Sequence, residues 1–100
     1  MSITTNRHES TQVTAVVAVR VPQNADGDLA TETQRRLSRI DGVHDVTVDG
    51  FQAIEPRLSA TVVTVTAAIE THRSDTELHD ELSGTVGVEA VEQLEQTGRV

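Results

Sequence analysis

Two long segments of this chain alternate between apolar and other residues with a period of two. In residues 13–21, one face carries Val13, Ala15, Val17, Val19 and Val21. In residues 58–70, one face carries Val63, Val65, Ala67 and Ile69. Alternation over this length predicts two half-buried β-strands, the first and the third of the chain.

A second predicted strand lies between them and begins at Val43, with Val46 and Val48 on one face. Gly50 interrupts its pattern, and a glycine inside a strand often marks a bulge. Residues 55–57 then predict a short hairpin turn that leads into the third strand.

Residues 27–40 predict a helix, because their apolar side chains recur every three to four positions. This stripe consists of Leu29, Thr33, Leu37 and Ile40. Asp26 or Asp28 is placed to cap the helix. Asp41-Gly42 predicts its end, since glycine readily adopts a left-handed cap.

A second helix is indicated by Ser74 and Glu77, which have the spacing of a capping box. Leu78 and Leu82 give this helix a short apolar stripe, and a glycine at position 84 or 87 ends it.

The chain also repeats itself at a shift of about 45 residues, which places Gly42-Val43 on Gly87-Val88. This repeat bears on residues 88–96, where Val88, Val91 and Leu94 have the spacing of a helix. The first copy continues from its Gly-Val turn into a strand. We therefore predict that residues 88–96 form a strand as well.

The resulting order β-α-β-β-α-β predicts a ferredoxin-like plait, an α+β fold with a four-stranded antiparallel sheet and two helices on one face. One hundred residues correspond to one domain. We predict that it spans residues 13–97 behind a disordered N-terminal tail of residues 1–12. The Val-rich first and third strands are expected at the centre of the sheet, and the more acidic second and fourth strands at its edges.

The face of this sheet without helices is expected to be half apolar. It carries Val16, Ala18, Arg20, Val62, Thr64, Thr66 and Ala68. Exposed apolar patches of roughly several hundred Å² usually mark interaction sites. We therefore predict a homodimer, or binding of another protein, through this face or through an edge strand.

The chain is acidic, with a formal net charge of −8, and all of its basic residues are arginine. This composition resembles proteins of salt-accumulating archaea, because concentrated salt screens self-repulsion. It also disfavours nucleic acid as a partner, since RNA-binding plaits stack bases on aromatic side chains and Phe51 is the one aromatic residue here. Without a signal peptide or a long apolar run, the sequence predicts a soluble cytoplasmic protein with no membrane contact.

The candidate reactive residues have simpler explanations. There is no cysteine. His72 and His79 flank the start of the second helix, and Asp75 lies one turn from His79, but two ligands do not complete a metal site. His44 is interpreted as a surface residue. The sequence therefore predicts no catalytic residue, metal or cofactor, although a small-molecule ligand stays possible.

Charged clusters have similar explanations. Carboxylates such as Asp80-Glu81 are expected on so acidic a surface, and the loop of residues 24–28 is interpreted as helix capping. The basic cluster Arg35, Arg36 and Arg39 is expected to pair with the acidic second helix or to lie in water.

Two families resemble parts of this chain. The junction from Leu37 to Val48 resembles that of heavy-metal-associated and ACT-type plaits. The metal-binding family uses Cys-x-x-Cys in its first loop, where this chain has residues 23–27 without cysteine. An ACT-type resemblance implies an amino-acid sensor with its ligand near Gly42 or Gly87.

The segments Val17–Pro22 and Gly87–Val91, with the terminal Gly98-Arg99-Val100, resemble archaeal elongation factor 1-beta, a nucleotide-exchange plait, over about 85 residues. That family has a Phe-Gly-Leu element near its third strand, where this chain has Pro56-Arg57-Leu58. The resemblance implies an exchange factor for a translational GTPase. It is the alternative to our main prediction, a small non-enzymatic binding or regulatory module.

Overall fold

The protein contains the six elements that the sequence predicts, in the same order. The computed structural model describes residues 10–23 and 27–99, apart from the side chain of Arg99. The elements are β1 (Thr11–Pro22), α1 (Leu29–Ser38), β2 (Val43–Pro56), β3 (Ala60–Thr71), α2 (Asp75–Ser83) and β4 (Val88–Arg99). The strands form one antiparallel sheet in the order β2-β3-β1-β4. The ferredoxin-like plait is therefore confirmed, with β1 and β3 at the centre and a strand over residues 88–96.

Several strand boundaries differ from the prediction, including the start of β3 at Ala60 rather than at residue 58 and the end of β4 at Arg99 rather than at residue 96. β1 begins at Thr11 rather than at residue 13, because Thr11 and Gln12 already pair with β3. Residues 1–9 of the predicted tail lie outside the described residues. The β2–β3 turn consists of residues 57–59 rather than 55–57, since Pro56 still pairs with β3 and the N–H of Arg57 donates to the carbonyl of Ala60 at 2.7 Å.

The first helix is shorter than predicted. Asp28 is its cap and accepts a hydrogen bond from the N–H of Thr31 at 2.7 Å, whereas Asp26 lies outside the described residues. The helix ends at Ser38 with Arg39 as its cap. Gly42 does have a positive φ of 89°, but in the turn that follows the helix.

The second helix begins as predicted, with a reciprocal capping box between Ser74 and Glu77. Gly84 caps its end at an ordinary φ of −88°. Gly87 has a positive φ of 98° in the turn into β4. The two glycines that the sequence offered as alternatives therefore have separate roles.

The core lies between the sheet and the two helices. The alternating residues predicted to face inward on β1 and β3 are all buried, and Leu37, Leu78 and Leu82 pack on them from the helices. Small β-branched residues thus fill the sheet side of the core, and leucines fill the helix side. Within the described chain, neither helix is long and apolar enough to cross a membrane.

The edge strand β4 keeps its apolar residues inward by means of bulges. Val88, Val91 and Leu94 pair with three inward residues of β1, and β4 contributes one extra residue between successive pairs. The extra residue changes the inward period of the strand from two to three. The helix-like spacing in this segment is therefore the spacing of a bulged strand.

The edge strand β2 has the same construction. Val48, Phe51 and Ile54 pair with inward residues of β3, with register shifts on either side of Phe51. The bulge predicted at Gly50 is confirmed, since one of these shifts lies between Val48 and Gly50. The shifts keep all three apolar residues on the face that the helices cover.

α1 covers only the first part of β2. A helix of 10 residues is about 15 Å long, whereas a strand of 14 residues is about 46 Å long. Val46 is 2% exposed, but every residue from 49 to 59 is exposed. We call residues 49–59 the β2 arm.

Candidate functional site

The seven residues predicted for the open sheet face do share one face. Directly opposed residues of an antiparallel pair lie on the same side of a sheet. The pairs are Thr14 with Ala68, Val16 with Thr66, Ala18 with Thr64, and Arg20 with Val62. The neighbouring positions of β1 and β3 belong to the core on the opposite side.

The apolar residues of this open face are covered more than the sequence suggested. Three of them are each only 6% exposed: Val16, Ala18 and Val62. Longer polar side chains lie across the face, with Arg20 3.6 Å from Glu89 and Gln52 donating to Thr66 at 3.0 Å. The role of this face in binding a partner stays a prediction.

Larger apolar side chains are exposed on the β2 arm. Phe51 is 40% exposed, Ile54 is 51% exposed, and Leu58 in the hairpin turn is fully exposed. Phe51 and Ile54 lie on the helix side of the sheet but beyond the reach of α1. We call these three residues the arm patch. The three-residue spacing of Phe51 and Ile54 was visible in the sequence, but their exposure depends on the length of α1.

The internal repeat creates two matching grooves between a helix and an edge strand. One, of about 420 Å³, is lined by Asp75, Thr76, His79, Val91, Glu92, Gln93 and Leu94. The other, of about 360 Å³, is lined by Ala30, Thr31, Gln34, Arg35, Ser38 and Val48. Ala30, Thr31 and Gln34 lie 45 residues before their counterparts on α2. Both grooves are open clefts.

His79 lies in the larger groove, as does Asp75. The Nδ1 atom of His79 is 3.5 Å from the hydroxyl of Ser83. Across residues 10–23 and 27–99, no three His, Asp or Glu side chains come close enough together to hold a metal ion. Asp75 and His79 therefore gain no third ligand from the described fold.

Two other histidines meet where β2 begins and β3 ends. Nδ1 of His72 is 2.8 Å from Nε2 of His44, the ring centroids are 4.8 Å apart, and both side chains are exposed. His44 lies within β2 and is exposed, in agreement with its interpretation as a surface residue. The contact was missed in the sequence because it joins residues 28 positions apart and depends on the register of β2 against β3.

Arg73 fastens the α1–β2 turn to the β3–α2 turn. Its Nη2 lies 2.6 Å from the Asp41 carboxylate, and its Nε donates to the Asp41 carbonyl at 3.1 Å. A Cβ atom built on Gly42 would collide with the Arg73 side chain. Of the two positions that the ACT-type resemblance implies for a ligand, Gly42 and Gly87, the space directly beside Gly42 is therefore filled by this arginine.

The arginine cluster pairs within its own helix. Arg35 and Arg36 lie 2.5 and 3.7 Å from the carboxylate of Glu32, whose side chain is 6% exposed. Of the two alternatives expected for these arginines, pairing with α2 is wrong, because Glu32 lies one turn away on the same helix face; their side chains are 48% and 33% exposed, as the alternative of lying in water implies in part. A nearly buried carboxylate needs such compensation. Arg39 lies exposed at the helix end.

Two carboxyls with displaced pKa values both belong to helix caps. Hydrogen bonds from Thr31 lower the pKa of Asp28 below its ordinary value of 3.8. Hydrogen bonds from Ser74 lower the pKa of Glu77 below 4.5, and the charges of Arg73 and His72 add to this. The hydrogen bonds that cause both shifts stabilise the starts of the helices, so neither shift indicates an acid or a base prepared for catalysis.

Comparison of the chain with protein-family models, with curated proteins and with solved structures finds no match in any of the three.

Proposed function

We propose that the protein is a small non-enzymatic binding module of the cytoplasm of a salt-accumulating organism, and that it works as a homodimer joined through the arm patch. The exposure of Phe51, Ile54 and Leu58 at the end of one edge strand carries this proposal. The two carboxyls with lowered pKa values and the paired arginines are occupied in structural contacts, which favours binding over catalysis.

The area of the arm patch fits a contact between two copies. Its three side chains expose on the order of 300 Å², a size at which a patch on a monomer is often functional. Two such patches place about 600 Å² at the centre of a symmetric contact. Flanking residues of the arm must supply the rest of the roughly 1,200–2,000 Å² of a specific interface.

The charges of the arm allow this contact. Glu55 and Arg57 lie 3.4 Å apart beside the patch, so the hairpin end is locally neutral although each chain has a net charge of −8. The remaining repulsion between two copies is screened at about 1 M salt, where the Debye length is about 3 Å. We therefore expect dimerisation to strengthen as the salt concentration rises.

Sedimentation equilibrium in molar KCl with EDTA tests the proposal. The wild-type chain is expected to be a dimer at high protein concentration, and Ile54→Ser is expected to be monomeric. The matched control is Ala53→Ser, because Ala53 is the neighbouring residue and pairs with Thr64 on the open face. This control is expected to dimerise like the wild type.

Ala68→Arg distinguishes the arm patch from the open sheet face, where it places a large charged side chain. Loss of the dimer in Ala68→Arg but not in Ile54→Ser would assign the contact to the open face. A monodisperse wild-type monomer at high concentration would disprove the homodimer.

One observation favours the exchange factor as a second candidate. Leu58, which matches the leucine of the Phe-Gly-Leu element, is fully exposed in the hairpin turn, whereas Pro56 and Arg57 depart from that element. An exchange factor must accelerate nucleotide release from a translational GTPase. Stopped-flow release of a fluorescent nucleotide measures this, with Leu58→Ser as the variant, and no acceleration by the wild type would exclude this function.

A further inference from the structure

We propose that His44 and His72 form a chelating site for a divalent transition-metal ion that favours tetragonal coordination, with Cu(II) as the strongest binder. The two facing ring nitrogens, Nε2 of His44 and Nδ1 of His72, are 2.8 Å apart. Both side chains are exposed, so an ion reaches them without any movement of the backbone. Neutral imidazole nitrogens suit copper, nickel and zinc.

The backbone on both sides of the pair is held in place. Val43 pairs with Thr71, and His44 and His72 directly follow these two residues along the chain. The hydroxyl of Thr71 donates to the carbonyl of Gly42 at 2.6 Å. The Arg73–Asp41 contacts described above fasten the same two turns. Two ligands on fixed backbones bind an ion together with little further loss of conformational freedom.

In the metal-free pair the 2.8 Å contact is a hydrogen bond between the two rings, and a bound ion takes the place of its proton with little change in the separation of the two nitrogens. With metal–nitrogen bonds of about 2.0–2.1 Å, two nitrogens 2.8 Å apart subtend an angle near 90° at the metal. This is the angle between neighbouring ligands in a square-planar or tetragonal site, as Cu(II) and Ni(II) prefer. A tetrahedral zinc ion would require the nitrogens to separate to about 3.3 Å.

Carboxylates lie close to the pair along both strands, and the neighbouring cation Arg73 is paired with Asp41. Asp45, next to His44, and Glu70, two residues before His72, are directly opposed in the register. Like charges at opposed positions repel, and a divalent ion nearby reduces that repulsion. Because no third His, Asp or Glu among the described residues completes the set, water occupies the remaining coordination positions.

Titration of the full chain with Cu(II), followed by electron paramagnetic resonance, tests this site. We expect one bound ion with two imidazole nitrogens in its equatorial plane. His44→Ala and His72→Ala should each weaken binding by more than about tenfold, since losing even an outer partner of a metal ligand costs about 10- to 100-fold. Both substitutions are made in a chain that already carries His8→Ala, so that this histidine, which lies outside the described residues, does not contribute to binding.

His79→Ala is the matched control, because His79 is a third exposed histidine of the same domain and should leave the affinity unchanged. His72→Gln serves if His72→Ala does not fold. A signal from a single nitrogen, an unchanged affinity in both pair variants, or an equal loss in His79→Ala would overturn the proposal. The dimerisation experiment contains EDTA, so its result is independent of this one.

Discussion

β2 and β4 are the two edges of one sheet, and they carry the same three-residue apolar spacing with different outcomes. In β4, Val88, Val91 and Leu94 pack against the core. In β2, Phe51 and Ile54 lie on the same side of the sheet but are 40% and 51% exposed. Both strands continue past the helices that cover them, but the three residues of β4 lie within its first seven positions, whereas Phe51 and Ile54 are the ninth and twelfth residues of β2. A local pattern therefore determines which face a residue occupies, whereas the lengths of neighbouring elements determine whether that face is buried.

The largest expected effect is the loss of the fold in dilute salt. It also compares the two edge strands, because both should lose their structure in the same range of salt concentration. With a net charge of −8, we expect the protein to lose structure below about 0.5 M KCl. Amide hydrogen exchange during stepwise lowering of the salt should show protection lost from β2 and β4 before β1 and β3. Cooperative unfolding that persists in low-salt buffer would contradict this prediction.

A second prediction compares a covered position with an uncovered one. Leu37→Ala removes a fully buried side chain and should cost roughly 2–5 kcal/mol of unfolding free energy. Ile54→Ala on the arm should cost less than about 1 kcal/mol in the monomer, because half of its side chain is already in water. Chemical denaturation in molar KCl measures both. A cost below about 0.5 kcal/mol for Leu37→Ala would mean that the face of α1 that carries Leu37 does not pack against the sheet.

A third prediction compares two glycines of the β2 region. Gly42→Ala should cost about 1–3 kcal/mol, because its φ of 89° disfavours a side chain and the new Cβ collides with Arg73. Gly50→Ala has open space around it and should be neutral or slightly stabilising, by up to about 0.5 kcal/mol. Equal costs in denaturation experiments would mean that Arg73 does not hold the turn at Gly42.

The sequence was sufficient for the fold because each element has a strong local signal. The alternation in β1 and β3 predicted their inner faces, and the Ser74–Glu77 spacing predicted the start of α2. The arm patch was missed because no local signal states where α1 ends relative to β2. The His44–His72 contact required the strand register. The pairing of Arg35 with Glu32 had a signal, the helical spacing of opposite charges, which was outweighed by the expectation of a contact with α2.

The smallest expected effect is on the pH dependence of stability, and it compares the cap of α1, the helix beside β2, with the cap of α2, the helix beside β4. Because folding lowers the pKa values of Asp28 and Glu77, each contributes stability that is present above its ordinary pKa of 3.8 or 4.5 and is lost as the pH falls through the lower folded value. Glu77→Gln should therefore flatten the fall in stability below about pH 4.5. Asp28→Asn should do so at a slightly lower pH.

Thermal denaturation between pH 5 and pH 3 in molar KCl measures these slopes. An acid-induced fall in stability that is as steep in both variants as in the wild type would show that the caps do not hold these carboxyls ionised.

The bulges of the two edge strands also protect the protein against fibril formation. Valine-rich strands such as β1 and β3 are the kind of segment that stacks into fibres, and here they lie inside the sheet. A strand from another molecule would have to extend the sheet along β2 or β4, where three register shifts in each interrupt the row of free N–H and C=O groups. A chain rich in valine, threonine and alanine can therefore be concentrated without offering a template for its own polymerisation.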